Sequence, residues 1–159
     1  MKSFNIEDRV YLATELFGEG YNCAQSVFLA YADVFDLEMD LAKSLSVSFG
    51  GGIGRMREVC GTVSAMAMLA GLKYPVSDQK DMEARKQNYG IVQLMAELFK
   101  NKHQSLICRN LLPAAAAAKK DPAPSERTAE YYQKRPCVRY VADAARIAGQ
   151  MLKGDLTLK

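Results

Sequence analysis

Apolar residues recur along this chain at helical spacing almost throughout. Ile6, Val10, Ala13 and Phe17 stand at i, i+4, i+7 and i+11, which predicts a first helix that stops at Gly18 and Gly20. Asn22 is a good N-cap, and a second helix is expected from there to about Phe35, with Val27, Phe28, Tyr31 and Phe35 on its apolar face. Asp40 is expected to cap a short third helix through Phe49. The loop Gly50-Gly51-Gly52-Ile53-Gly54-Arg55 follows, and Val59 to Leu72, rich in Ala and Met, reads as a buried core helix. Ser77 or Asp78 opens a long, more polar helix that turns Ile91, Leu94, Met95 and Leu98 inward. His103 to Leu112 is predicted as a shorter helix stopped by Pro113. Residues 114–124 are five alanines, two lysines and Asp-Pro-Ala-Pro, which read as a surface excursion. Ser125 to Arg135 is predicted as a polar helix. Pro136 starts the last one, where Val138, Val141, Ala142, Ala145 and Leu152 repeat. No run alternates as a strand does, and no internal repeat is visible. The expected fold is all-α, a single domain over residues 1–159 built as a bundle of about six to eight helices.

Composition narrows the function classes. With 159 residues the chain has the size of one ordinary domain and can bury a core without disulfide staples. A formal charge of +3, with Lys and Arg spread along the chain, gives no footprint for nucleic acid. Glu7, Asp8 and Arg9 stand where a signal peptide needs an apolar run, so a cytoplasmic location is expected. Val59 to Leu72 is shorter than the roughly 18 apolar residues of a membrane span and holds Gly61 and Ser64, so no membrane association is expected. In a reducing compartment, four cysteines signal metal binding, catalysis or burial more often than a structural disulfide framework.

The cysteines carry the chemistry worth weighing. Cys23 follows the Asn22 cap, Cys137 follows Pro136, and Cys60 comes just after the glycine loop, so three of the four are expected at helix starts. Free N–H groups and the helix dipole there favour a thiolate, which is both the nucleophile and the metal ligand. Cys108 is expected inside its helix, between Ile107 and Arg109, as a resolving partner, a fourth ligand or a buried residue. Taken singly, each cysteine is equally readable as a small buried hydrophobe. The spacing contains no Cys-x-x-Cys, which argues against a thioredoxin-like pair and a zinc ribbon. With His103 the only histidine, a Cys/His zinc finger and a three-His catalytic zinc are excluded. Four cysteines on four helices can still converge at one end of a bundle, where four thiolates suit zinc or an iron–sulfur cluster. If two converge, a reversible disulfide follows instead.

The glycine loop does not complete a dinucleotide pattern and lacks the Gly-Lys-Ser/Thr ending of a P-loop. It reads either as a tight connection with positive φ angles or as a backbone nest that approaches a bound group beside Cys60. On the second reading Gly50, Gly51, Gly52, Gly54 and Gly61 are the cofactor-binding positions. Arg55 and Arg57 would then stabilise a Cys60 thiolate, with Glu58 opposing them.

The order Gly20-Tyr-Asn-Cys23-Ala-Gln-Ser-Val27, then Phe49-Gly-Gly-Gly-Ile-Gly54, then Cys60-Gly61, then two lone cysteines resembles the redox-active protein family labelled C_GCAxxG_C_C. That family is recognised by four cysteines and a Cys-Gly-Ala-x-x-Gly signature, and the resemblance runs from about Gly20 to about Met151. It implies a small bacterial or archaeal protein with redox activity and metal or iron–sulfur binding, with Cys23, Cys60, Cys108, Cys137 and Gly61 as site positions. Thr62 departs from the signature Ala and Ala65 from its second Gly. Three functions follow as expectations: a zinc or iron–sulfur centre in electron transfer or sensing, a metal-free thiol–disulfide oxidoreductase, or a non-enzymatic helical binding module with structural cysteines. The sequence does not specify a redox partner, and it leaves the oligomeric state open.

Overall fold

The computed structural model describes residues 1–158. The helices are α1 (Ile6–Gly18), α2 (Cys23–Leu29), α3 (Met39–Val47), α4 (Gly61–Lys73), α5 (Met82–His103), α6 (Cys108–Leu111), α7 (Ala114–Ala117), α8 (Ala129–Lys134) and α9 (Cys137–Lys153), with a 3-10 turn at Ala32–Phe35. The fold is all-α, as expected. Among the described residues the extended pairing is limited to one antiparallel bridge, Val59 with Ile107. No helix among them is long and apolar enough to cross a membrane.

The hub is α4, which buries Gly61, Thr62, Val63, Ala65, Met66, Leu69 and Ala70 and packs against α2, α5 and α9. A helix that is apolar on every side has to be surrounded, and the remaining helices supply that cover. The strongly amphipathic α9 lays Val141, Ala144, Ala145, Ala148, Met151 and Leu152 against α1, α4, α5 and α2. Buried Tyr31 ties the two halves together by donating from its hydroxyl to the Ala145 carbonyl at 2.7 Å.

Where local elements differ from the sequence expectation, a specific competitor wins. The second helix stops at Leu29 rather than Phe35 because the chain tightens into the 3-10 turn, which carries Tyr31 into the core. Arg9 satisfies the freed Ala30 carbonyl at 3.1 Å and pairs with Asp33. Glu38, not Asp40, caps α3. Asp78 spends its carboxylate on a local turn with the Lys80 amide, so α5 begins later, capped by Asp81. The expected helix from His103 to Leu112 is absent. Instead α5 runs on through His103 and stops at Gln104, whose φ is 69°. The next residues extend to pair with the 57–60 segment: the Cys60 amide donates to Leu106 at 2.8 Å and the Cys108 amide to Glu58 at 2.6 Å. The helix that remains, α6, is one turn long, and Cys108 is its first residue rather than an interior one.

Residues 114–124 form the single turn α7 and an exposed loop. The loop is tied inward, since the Lys119 carbonyl accepts from Arg57 at 2.8 and 3.1 Å and the Asp121 carbonyl accepts from Arg55 at 2.7 Å. His103 works as a structural strut, with its ring between Phe99 and Tyr140 and Nε2 3.0 Å from Asp143.

Candidate functional site

All four cysteines stand at helix starts, and all four line one enclosed cavity of about 50 Å³. Its wall also holds Arg57, Arg127, Arg135, Tyr131, Tyr140 and Thr62. Cys23 opens α2, where Asn22 forms a reciprocal cap with Gln25. Cys60 sits at the N-cap of α4 and Cys137 is the first residue of α9. The Val59–Ile107 bridge lays the Cys60 and Cys108 strands side by side.

The glycine loop is built around Cys23. Gly51, Gly52, Ile53, Gly54 and Arg55 run consecutively at φ of 66, 70, 57, 53 and 64°, and Arg57 follows at 63°. Left-handed backbone costs roughly 1–2 kcal/mol at each non-glycine position, and a β-branched residue such as Ile53 is rare there. Cross-links hold the strained turn: the Gly54 amide donates to Ser48 at 2.8 Å, the Glu58 amide to Gly52 at 3.0 Å, and Arg55 and Arg57 reach over to the 119–121 carbonyls. The result aims the Gly51 amide at the Cys23 sulfur. Three other positions, Gly50, Gly52 and Gly61, need glycine for space. A Cβ on Gly52 would stand 2.6 Å from the Cys108 Cβ, and one on Gly61 would stand 2.7 Å from the Cys23 sulfur. Gly50 packs directly on Asn22, while Gly54 faces open space and contributes only its φ.

These contacts polarise the four thiols unequally. Cys23 accepts a hydrogen bond from the Cys60 thiol and from the amides of Gly51, Ala24 and Gly61, which together outweigh burial and bring its pKa down from 9.0 to about 6. Cys60 is the mirror image: its bond to Cys23, then burial, hold its proton on well above the ordinary thiol range. The Thr62 hydroxyl lies 3.2 Å from the Cys60 sulfur and eases this slightly. Burial, with the neighbouring Cys23 charge, also raises Cys108, and it takes Cys137 up to about 12. The first-turn position expected to acidify Cys60 and Cys137 therefore does so only at Cys23. The helix-end field is worth a fraction of a kcal/mol to about 2 kcal/mol, and burial of a thiolate in an apolar wall exceeds it.

The arginines are also placed differently from expectation. Arg57 is fully buried and donates to the Lys119 carbonyl rather than to Cys60, Arg55 turns to Asp121, and Glu58 pairs with Arg109 at 2.7 Å. Sequence reasoning passed over Arg127, Tyr131 and Arg135. Their i, i+4, i+8 spacing was the available signal. In the fold the guanidinium carbons of Arg127 and Arg135 both lie over the Tyr131 ring, 4.6 and 4.5 Å from its centroid.

A zinc or iron–sulfur centre needs its thiolates gathered about one point. Among the described residues, no three or more Cys, His, Asp or Glu side chains are grouped so as to hold a metal ion. Cys23, Cys60, Cys108 and Cys137 share a cavity without forming such a ligand set. The arrangement does not fit the metal group that the resemblance implies. The two departures from the family signature are both accommodated. Ala65 is buried in α4, and Thr62 supplies the hydroxyl beside Cys60.

No curated protein and no solved structure matches this chain. Residues 21–151 match the family model described as "Putative redox-active protein (C_GCAxxG_C_C)". That span contains all four cysteines, the glycine loop and the three arginines of the cavity. On that match, which covers most of its length, the chain belongs to the redox-active C_GCAxxG_C_C family.

Proposed function

We propose that the protein is a metal-free dithiol–disulfide redox protein in which Cys23 is the nucleophile and Cys60 resolves. The observation that supports this best is geometric: all four cysteines line one cavity, and the Cys23 sulfur lies so close to Gly61, next to Cys60 at the start of α4, that a Cβ there would stand 2.7 Å from it. A Cys23 thiolate stabilised by the Cys60 thiol and three backbone amides is present at neutral pH and is also a good leaving group, two properties that disulfide exchange requires. In the proposed cycle the Cys23 thiolate attacks one sulfur of a disulfide substrate R–S–S–R′, forming Cys23–S–S–R and releasing R′–S⁻. The Cys60 thiol gives its proton to that departing thiolate and attacks Cys23, which forms the Cys23–Cys60 disulfide and releases R–S⁻. Two electrons pass from the protein to the substrate, and the reverse sequence reduces the protein. Thr62, beside Cys60, steadies the sulfur as its proton leaves.

Oxidation by one equivalent of a small disulfide, followed by peptide mapping, tests the reading. The expected product is a Cys23–Cys60 link, and Cys60→Ser is expected to accumulate a mixed disulfide on Cys23 instead. A Cys108–Cys137 link would overturn it. So would stoichiometric zinc or iron held by the thiols after anaerobic purification, which would restore the metal-centre reading.

A further inference from the structure

The cavity opens beside a wider groove that the dithiol chemistry alone does not explain. The groove encloses about 400 Å³ and shares Asn22, Gly51, Arg57, Arg127, Tyr131 and Arg135 with the cavity wall. Among the described residues, neither lining includes a carboxylate, although four arginines line the groove. Asp121 pairs with Arg55 at 3.7 Å and is taken up there. Beyond the single Cys23 thiolate that shares the cavity, the other three guanidiniums have no paired carboxylate among the described residues: Arg57 donates to the Lys119 carbonyl, and Arg135 donates to the Ser125 hydroxyl at 3.2 Å. Arg127 donates through Nη2 to the Tyr21 carbonyl at 3.3 Å, but its buried Nη1 has no hydrogen-bond partner.

An orphaned guanidinium nitrogen among three arginines that one thiolate does not balance calls for a further anion. The stacking of Arg127 and Arg135 on Tyr131 fixes both planar forks, which is the pre-organisation that carboxylate recognition uses. The groove has the volume of a small-molecule site, whereas the cavity beside Cys23 admits only the end of a ligand. We infer that Arg127 and Arg135, with Arg57 behind them, form a receiving site for the carboxylates of a low-molecular-weight disulfide whose reacting sulfur enters the cavity to meet Cys23. The inference rests on the dithiol reading above and names its substrate class.

The test compares three matched disulfides, 3,3′-dithiodipropionate, hydroxyethyl disulfide and cystamine, as oxidants of the full-length protein at low ionic strength. Each rate is normalised to that of a free small thiolate, which removes differences in leaving group. The dicarboxylate is expected to exceed the diammonium compound by about tenfold or more, a preference that shrinks in high salt. Arg127→Gln and Arg135→Gln are each expected to reduce that ratio by about threefold or more. Because the readout is a ratio within one protein, a general loss of stability does not imitate it. Equal normalised rates for all three compounds, or a ratio unmoved by both substitutions, would overturn the inference and leave the dithiol chemistry standing. Failure of every disulfide to oxidise Cys23 would remove both.

Discussion

In Cys23→Ser, alkylation of the folded protein by iodoacetamide at pH 7 is expected to fall by roughly tenfold or more. A thiol with a pKa of about 6 is ~90% ionised at that pH, whereas one near 12, as at Cys137, is ionised to only about one part in 10⁵. Lower basicity costs Cys23 part of that advantage, since nucleophilicity falls with pKa with a Brønsted slope of about 0.45, or roughly 500-fold over this interval. About two orders of magnitude remain relative to Cys137, and the overall fall is smaller because Cys60 and Cys108, relieved of the Cys23 charge, carry the residual reaction. The pH dependence has a definite sign. Because the Cys23 pKa is lowered, the fast reaction grows as pH rises through about 6 and is level above it, and it is missing from the variant at every pH. A Cys23→Ser protein that alkylates as fast as the wild type would place the reactive thiol elsewhere.

Gly61→Ala is expected to damage both stability and the site. Inside a helix an alanine ordinarily gains up to about 1 kcal/mol over glycine. Here the new Cβ would stand 2.7 Å from the Cys23 sulfur and 2.8 Å from the Phe49 carbonyl oxygen, and neither lies on a flexible tip that can swing away. Overpacking of this kind costs about 1–3 kcal/mol, so the net sign is destabilising and the thermal midpoint should fall by a few degrees. Relief by displacement of Cys23 would pull its sulfur off the amides of Gly51 and Gly61, so its pKa should climb back toward the ordinary thiol range. A midpoint that rises, with Cys23 still acidic, would show that the close approach of α4 to α2 is not what holds the thiolate.

Much of this architecture can be read locally. The Asn22 cap, the proline before Cys137 and the all-round apolar character of α4 are short-range signals, and the elements they announce are present. Cys108 was misplaced because its position depends on pairing with residues about fifty positions earlier, a contact that overrides helical spacing. The unequal acidity of the thiols is likewise non-local. Helix-start position is visible in the sequence, but the depth of Cys137 and the bond between Cys60 and Cys23 come from packing four helices around one cavity. The glycine loop is legible as a connection with positive φ angles, which residues 51–55 adopt, whereas the approach of its Gly51 amide to Cys23 depends on packing against α2. Arg127, Tyr131 and Arg135 carry a regular spacing that gains meaning only once the cavity is known.

In the proposed cycle Cys23 rests as a thiolate because the Cys60 thiol gives it a hydrogen bond. Site-resolved alkylation of the wild-type protein between pH 4 and 9, followed by mass spectrometry of each cysteine peptide, tests it most directly. The expected result is a Cys23 rate with its midpoint at about 6, while Cys60, Cys108 and Cys137 stay slow across the range. A Cys23 midpoint near 9, or a different cysteine reacting first, would contradict it.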